Sequence, residues 1–423
     1  MTQAELALPP APPLRDDPVG FQIGWDHAHH GLVPPPELLL EGTPIGQGWR
    51  AARAVFGARS WPAHRCTRQW LALRIEAWRC GADFDLQTVT PNLLAQIEVR
   101  RCPVLRMPLG GAESSPGAPR ISRLNPQAAY AAGNLVMLSR AADQAWQGLG
   151  VLDLVRCARA AEALQLAATS PLASAAKGRA STAAEAADAP RAAAAPHLDP
   201  ADHGAWWRLA TLRSLTTPMH GADAARLPLA ATPPNRTRVL NTVQALQALL
   251  TARLAGERWA AEMAAVASML PEHSQRTDFN LWVGALAPRV LEAQARGRSI
   301  GLALEDAWLA ERVQRRWQHF ALALGTAGCE QLVQRLCGRQ PGGRVAIVLA
   351  DAQATETWAL PGAQPPAGPA LPPVSGMPAG ALGAGRPQLR LTSPVRAAGR
   401  RRTARPPCGP RPRETGGRPP AAT

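Results

Sequence analysis

At 423 residues, with a formal net charge of +15 and 46% hydrophobic but only 4% aromatic residues, the chain has room for two or three domains but not for an apolar core along its whole length. Its seven cysteines are odd in number and include no C-x-x-C pair, which argues against a disulfide framework and a self-contained four-cysteine zinc site. No run approaches ~18 uninterrupted apolar residues, and MTQAELALPPAPPLRDD has no basic start before an apolar stretch, so neither a membrane span nor a secretory leader is expected and the setting is read as cytoplasmic.

Residues 1–19 are proline-rich and read as loose. Residues 20–168 form the first expected domain. It opens with GFQIGWDHAHHGLVPPPELLLEG, read as a polar entry loop. Asp26, His27 and His29 invite a metal reading there, because alternate histidines share one face of an extended strand. Helices are expected over Glu37–Glu41, Gly46–Phe56 and about Pro62–Cys80, the last carrying Cys66, Trp70, Leu73, Ala77 and Cys80 at helical spacing. Thr90-Pro91 reads as the N-cap and first residue of a short helix through Ile97. A compact β-containing segment runs from Cys102 to Leu138, and a helix over about Ala141–Ala168 closes the domain.

Residues 169–203 are Ala/Ser/Pro-rich and read as a linker, because they bury too little apolar surface to offset their ordering entropy. Residues 204–360 read as a second, helical domain. One long amphipathic helix is expected over Arg238–Leu270, followed by Thr277–Ala295, Leu302–Leu324 and Ala327–Cys337. Trp282, Trp308 and Trp317 hold core-like positions, and Trp206-Trp207 reads as a core anchor. Val345–Leu349 and Thr355–Leu360 then fit a β-hairpin. Residues 361–423 carry ten arginines and one glutamate among Pro and Gly, so nine of the fifteen net positive charges sit in a tail expected to be disordered.

The most informative stretch is CPVLRMPLGGAESSPGAPRISRLNPQAAYAAGNLVMLSRAADQAW, residues 102–146. Pro103 and Pro108 break a short extended piece, GGAESSPGAP is a loop, and Arg120–Leu124 reads as a strand. Asn125-Pro126 and Gly133-Asn134 mark turns before the apolar strand Leu135–Leu138. Ser139 is placed as the N-cap of the helix that follows. The order is strand, loop, strand, helix.

Ser122-Arg123-Leu124-Asn125 lies over the element D-R-I-D, and Ala129-Tyr130-Ala131-Ala132-Gly133-Asn134-Leu135 over G-Y-x-x-G-N-V. Ser139 to Asp143 lies over a helix start that ends in Asn or His, and Cys102-Pro103-Val104 over a Cys-Pro opening. In these features the segment resembles one branch of the HNH, or ββα-metal finger, endonucleases. The resemblance implies a divalent metal, usually Mg²⁺, that polarises a scissile phosphate, a general base, usually His, and a loop Asn that fixes the finger. Asn134 matches, and Asp143 could ligate a metal. The chain departs from the pattern where Ser122 replaces the ligand carboxylate, Arg123 the base, and Leu105 the second cysteine of a zinc pair.

The expected class is therefore α+β, mainly helical: a helical N-terminal domain with a small ββα finger, and a helical bundle ending in a hairpin. The expected function is a noncatalytic HNH-like protein that binds nucleic acid. A protein-interaction scaffold and a weak metal-dependent endonuclease are the alternatives. Candidate site residues are Ser122, Asn134 and Asp143, with Asp143, His27 and His29 as metal candidates for Mg²⁺ or another divalent ion. Arg100, Arg101, Arg123 and Arg140 are candidates for phosphate contacts, and a nucleic acid or an unidentified protein is the partner class.

Overall fold

The computed structural model describes residues 17–57, 60–169, 202–337 and 348–349. Residues 1–16 of the expected loose N-terminus, most of the linker, most of the hairpin and the whole tail lie outside the described residues, while Asp17, Pro18 and Val19, expected to be loose, begin a helix. What is described is mainly helical, with a small two-stranded antiparallel sheet.

The chain opens with a helix, α1 (Pro18–His29), where an entry loop was expected. Asp17 caps it by accepting the Gly20 N–H. A 3-10 turn (Pro36–Leu38) stands where a short helix was expected, and α2 (Pro44–Phe56) follows under a Thr43 cap. Gly24, read as part of the entry loop, and Gly48, read as helical, serve a close helix crossing. A Cβ on Gly24 would lie 1.9 Å from the Ile45 carbonyl oxygen, and one on Gly48 1.9 Å from that of Phe21. The next helices match expectation: α3 (Arg65–Arg79), and α4 (Pro91–Ile97), which Thr90 caps by accepting the Leu93 N–H.

Strands β1 (Pro119–Arg123) and β2 (Leu135–Ser139) pair antiparallel, with Ser122 opposite Val136. Ser139 caps α5 (Arg140–Ala145), as expected. The helix expected over 141–168 is broken: Gly148, in the left-handed region at φ 74, separates α5 from α6 (Val151–Thr169).

The second segment adds α7 (His203–Leu215), α8 (Gly221–Ala225), β3 (Arg238–Val239), α9 (Thr242–Leu254), α10 (Trp259–Met269), α11 (His273–Ala295), α12 (Ile300–Trp308), α13 (Glu311–Cys337) and β4 (Val348–Leu349). The single helix expected over Arg238–Leu270 is thus a short strand and two helices, interrupted by Ala255-Gly256-Glu257-Arg258. The helix expected over Leu302–Leu324 is split at Leu309-Ala310, and α13 is kinked at Gly325. Val348–Leu349, the described piece of the expected hairpin, runs parallel to β3.

The apolar residues of the two segments merge. Cys102, Val136, Leu138 and Trp146 share one core cluster with Trp206, Leu246, Trp282 and Trp317. Its centre is aromatic: Trp282, Trp308 and Trp317 are buried with centroids 5.4–5.5 Å apart. The linker therefore joins segments that share a core. Tyr130 and Leu135 reach the other way, into a smaller cluster with Leu73, Ala77 and Leu94.

Candidate functional site

The loop between β1 and β2 is held from within. Asn134 is fully buried. Its Oδ1 accepts the Asn125 N–H at 2.8 Å, and its Nδ2 donates to the carbonyls of Asn125 (3.0 Å) and Ala129 (2.9 Å). Gly133 precedes it at φ +93, and a Cβ there would meet the Arg238 side chain at 2.3 Å. Asn125 is itself anchored, its Nδ2 donating to the Thr216 carbonyl at 3.1 Å. Asn134 thus fixes the loop, as the resemblance implies, but does not line the cleft beside Ser122 and Asp143, because its side-chain contacts are all with the loop backbone.

Ser122 and Asp143 do meet. The Ser122 hydroxyl donates to Asp143 Oδ1 at 2.5 Å, across the junction of β1 and α5. Trp146 Nε1 and Gln147 Nε2 lie 3.4 and 3.5 Å from the same carboxylate. Beside this pair opens a polar cleft of about 480 Å³. Two candidates from the sequence, Arg123 and Arg140, line it, together with Arg120, Arg213 and Glu76. The Arg123 guanidinium lies 4.5 Å from the Tyr130 ring centroid and donates to the Ala128 carbonyl. The Tyr130 hydroxyl donates to Glu76 Oε1 at 3.1 Å, and burial with the Glu76 charge holds the phenol above its usual range. Arg140 donates to the Glu113 carbonyl.

Arg213 reaches the cleft from α7 and is 5% exposed. It stacks over Trp146 at 4.5 Å and donates weakly to the Trp146 carbonyl, while its Nε is buried without a partner. Burial pulls its pKa down to about 10, against the opposing pull of Asp143, so it is still a cation at neutral pH. None of the four arginines forms an ion pair with a described residue.

The other candidates fall elsewhere. Arg100 and Arg101 are exposed and do not line the cleft; Arg101 donates to the Arg106 carbonyl. The metal reading of His27 and His29 is corrected by α1. On a helix, residues two apart point to different sides instead of sharing a face. His27 is buried and donates from Nδ1 to the Ile23 carbonyl at 2.8 Å, and burial pulls its pKa down. His29 stacks on Phe56 with ring centroids 4.8 Å apart, and Asp26 is ion-paired with Arg74. Neither histidine lines the cleft.

The cleft's donor set does not fit a divalent cation. Its two carboxylates, Asp143 and Glu76, are each held by a neutral hydroxyl, and the other charges that line it are guanidinium groups, which repel metal. Among the described residues no three His, Cys, Asp or Glu side chains come together as metal ligands. Cys102 is buried, its sulfur accepting N–H groups from Leu105 and Ser139, so this thiol closes a turn by hydrogen bonding.

Sequence reasoning missed Arg120 and Arg213. Arg120 was within reach: two residues before Ser122 on a strand, it shares that residue's face. Arg213 had no local signal, since it lies 67 residues beyond its contact Trp146. No family model, characterised protein or solved structure matches the chain.

Proposed function

We propose that this protein binds nucleic acid through the cleft of its ββα unit and does not cleave it. One observation carries the reading: four arginines without carboxylate partners among the described residues line a cleft at the junction of β1 and α5, where a metal-ligand set is lacking. Unpaired guanidinium groups are the usual means of gripping phosphate, by charge and by directed N–H donors. The resemblance of Tyr130 to Asn134 to ββα-metal fingers supports a nucleic-acid ligand over other anions. The replacement of ligand and base by Ser122 and Arg123 supports binding without hydrolysis.

The test is a salt titration of oligonucleotide binding by the full chain, followed by fluorescence anisotropy, with Arg123→Gln and Arg140→Gln compared with wild type. The reading expects measurable binding at low salt, a log–log slope that falls by about one for each phosphate-contacting arginine removed, and intact oligonucleotide after incubation with Mg²⁺ or Mn²⁺. Binding that ignores both substitutions would assign the affinity to the basic tail, and cleavage that Asp143→Asn abolishes would restore the nuclease reading. The scaffold alternative has one feature in its favour. An apolar groove of about 250 Å³ lies among Leu254, Trp259, Leu286, Val290 and Leu304, with Leu291 half exposed at its rim.

A further inference from the structure

The cleft's charge inventory narrows the ligand. Arg120, Arg123, Arg140 and Arg213 face two carboxylates, Glu76 and Asp143, which leaves an excess of two positive charges. The two carboxylates are hydrogen-bonded by the Tyr130 and Ser122 hydroxyls, and neither forms an ion pair with one of the four guanidinium groups. An internal phosphodiester brings one negative charge. A phosphate monoester brings about −1.5 to −2 at neutral pH and three acceptor oxygens.

Shape points the same way. Arg213 lines the cleft although only 5% exposed, its guanidinium 4.5 Å from the Trp146 ring centroid. A duplex presents its phosphates on the rim of a wide cylinder, and a rim phosphate cannot descend to a donor so enclosed. A chain end can. A charge-assisted hydrogen bond to the guanidinium that lines so enclosed a place is stronger than one to an exposed arginine.

We infer that the cleft is a receptor for a terminal phosphate monoester on a single-stranded nucleic acid, with Arg213 at its floor and Arg120, Arg123 and Arg140 at its rim. This rests on the nucleic-acid reading above and adds to it the chemical group that is recognised. The bond made is noncovalent; no phosphoryl group is transferred.

The experiment uses the full chain and four probes at one ionic strength: a short single-stranded oligothymidylate with a terminal phosphate, the same strand with a terminal hydroxyl, a blunt duplex, and thymidine monophosphate as competitor. The phosphorylated strand is expected to bind at least ~10-fold tighter than the hydroxyl strand and the duplex, since charge-assisted hydrogen bonds contribute on that order. Arg213→Gln and Arg140→Gln are expected to erase the preference, while Arg101→Gln, outside the cleft, leaves it. Should Arg213→Gln fail to fold, Arg140→Gln and the exposed Arg120→Gln carry the same comparison. Equal affinity for phosphate and hydroxyl ends would overturn the inference and leave the nucleic-acid reading standing if cleft substitutions still weaken binding. A monophosphate that competes as well as the phosphorylated strand, with no gain from chain length, would keep the phosphate receptor and overturn the nucleic-acid reading.

Discussion

Two arginine-rich regions of this molecule use the same side chain in opposite ways. In the first, Arg106 reaches from the turn after Cys102 into the helical segment. Its Nη2 lies 2.9 Å from Glu305 Oε2 and its Nη1 2.7 Å from Asp306 Oδ1. Arg298 takes the second oxygen of Asp306, the Thr232 N–H donates to Glu305, and Arg208 donates to the Val104 carbonyl. Arg106 and Arg298 there are paired with carboxylates, whereas Arg208 has only a carbonyl, and the Nε atoms of Arg106 and Arg208 are buried without a partner, as that of Arg213 is; Arg106 holds a left-handed backbone at φ 58. In the second, the cleft beside Asp143, four guanidinium groups have carbonyls or aromatic faces beside them, or solvent, and no carboxylate partner. The first arrangement holds the fold, while the second leaves positive charge for a ligand. The pairing state of an arginine, more than its burial, separates the two uses.

The comparison breaks most sharply at Arg106. Replacing it with Ala strands a buried carboxylate, Glu305, whose pKa burial already holds above its usual range, and leaves Asp306 to Arg298 alone. Removing one member of a buried pair costs about 3–5 kcal/mol. Urea denaturation of Arg106→Ala should show a loss of that size, and a loss below ~1 kcal/mol would mean that the clamp does not hold the segments together.

Asn134→Ala comes next. It leaves the Asn125 N–H and the Ala129 carbonyl without partners, while the Asn125 carbonyl keeps the Ala128 N–H, at a cost of about 1–3 kcal/mol for each unsatisfied group. The expected total, about 3 kcal/mol by denaturant titration, is accompanied by weaker oligonucleotide binding, because Arg123 donates to Ala128 in the same loop. Stability lost with binding retained would uncouple the loop from the cleft.

Buried histidine supplies a third contrast, because unlike arginine it can lose its charge. Burial lowers the pKa of His27, and of His30 with help from His29. The folded protein then binds fewer protons than the unfolded chain once the pH falls through the ordinary histidine value of about 6.5. Stability should therefore decline from that pH downward and level off below the lowered folded values. His27→Gln, whose amide can still donate to Ile23, should flatten the decline, leaving the share owed to His30. A thermal midpoint that falls equally in the variant would show that His27 is not responsible.

Local chemistry was legible in the sequence and long-range assembly was not. Thr90-Pro91 and Ser139 announced helix starts because a cap acts within three residues. Tyr130, Gly133 and Asn134 announced the tight loop, and the spacing of Trp282, Trp308 and Trp317 their burial. Gly24 misled, because a glycine that admits a neighbouring helix looks the same in sequence as one that makes a turn. The continuous periodicity of Arg238–Leu270 concealed a break at Gly256, since helices joined by a tight turn can keep similar apolar spacing. The cleft was half visible: Ser122, Arg123, Arg140 and Asp143 belong to the finger's own segment, whereas Arg213 arrives only when α7 packs behind Trp146.

The smallest expected effect on stability is the one that best separates the two regions. Arg120 is exposed on β1 and makes no ion pair with a described residue, so Arg120→Gln should change stability by no more than about 0.5 kcal/mol. Against an unpaired cluster the substitution also relieves repulsion among like charges, which places the expected sign at neutral or slightly stabilising. Its effect on ligand affinity should be larger than its effect on folding, the reverse of Arg106→Ala. Measured together by denaturation and by anisotropy, the two variants form a crossed pair: one unfolds the protein without touching the cleft, and the other weakens the cleft without unfolding the protein. If Arg120→Gln instead destabilised the fold by more than ~1 kcal/mol, the cleft arginines would belong with the clamp, and the argument from their unpaired state would fail.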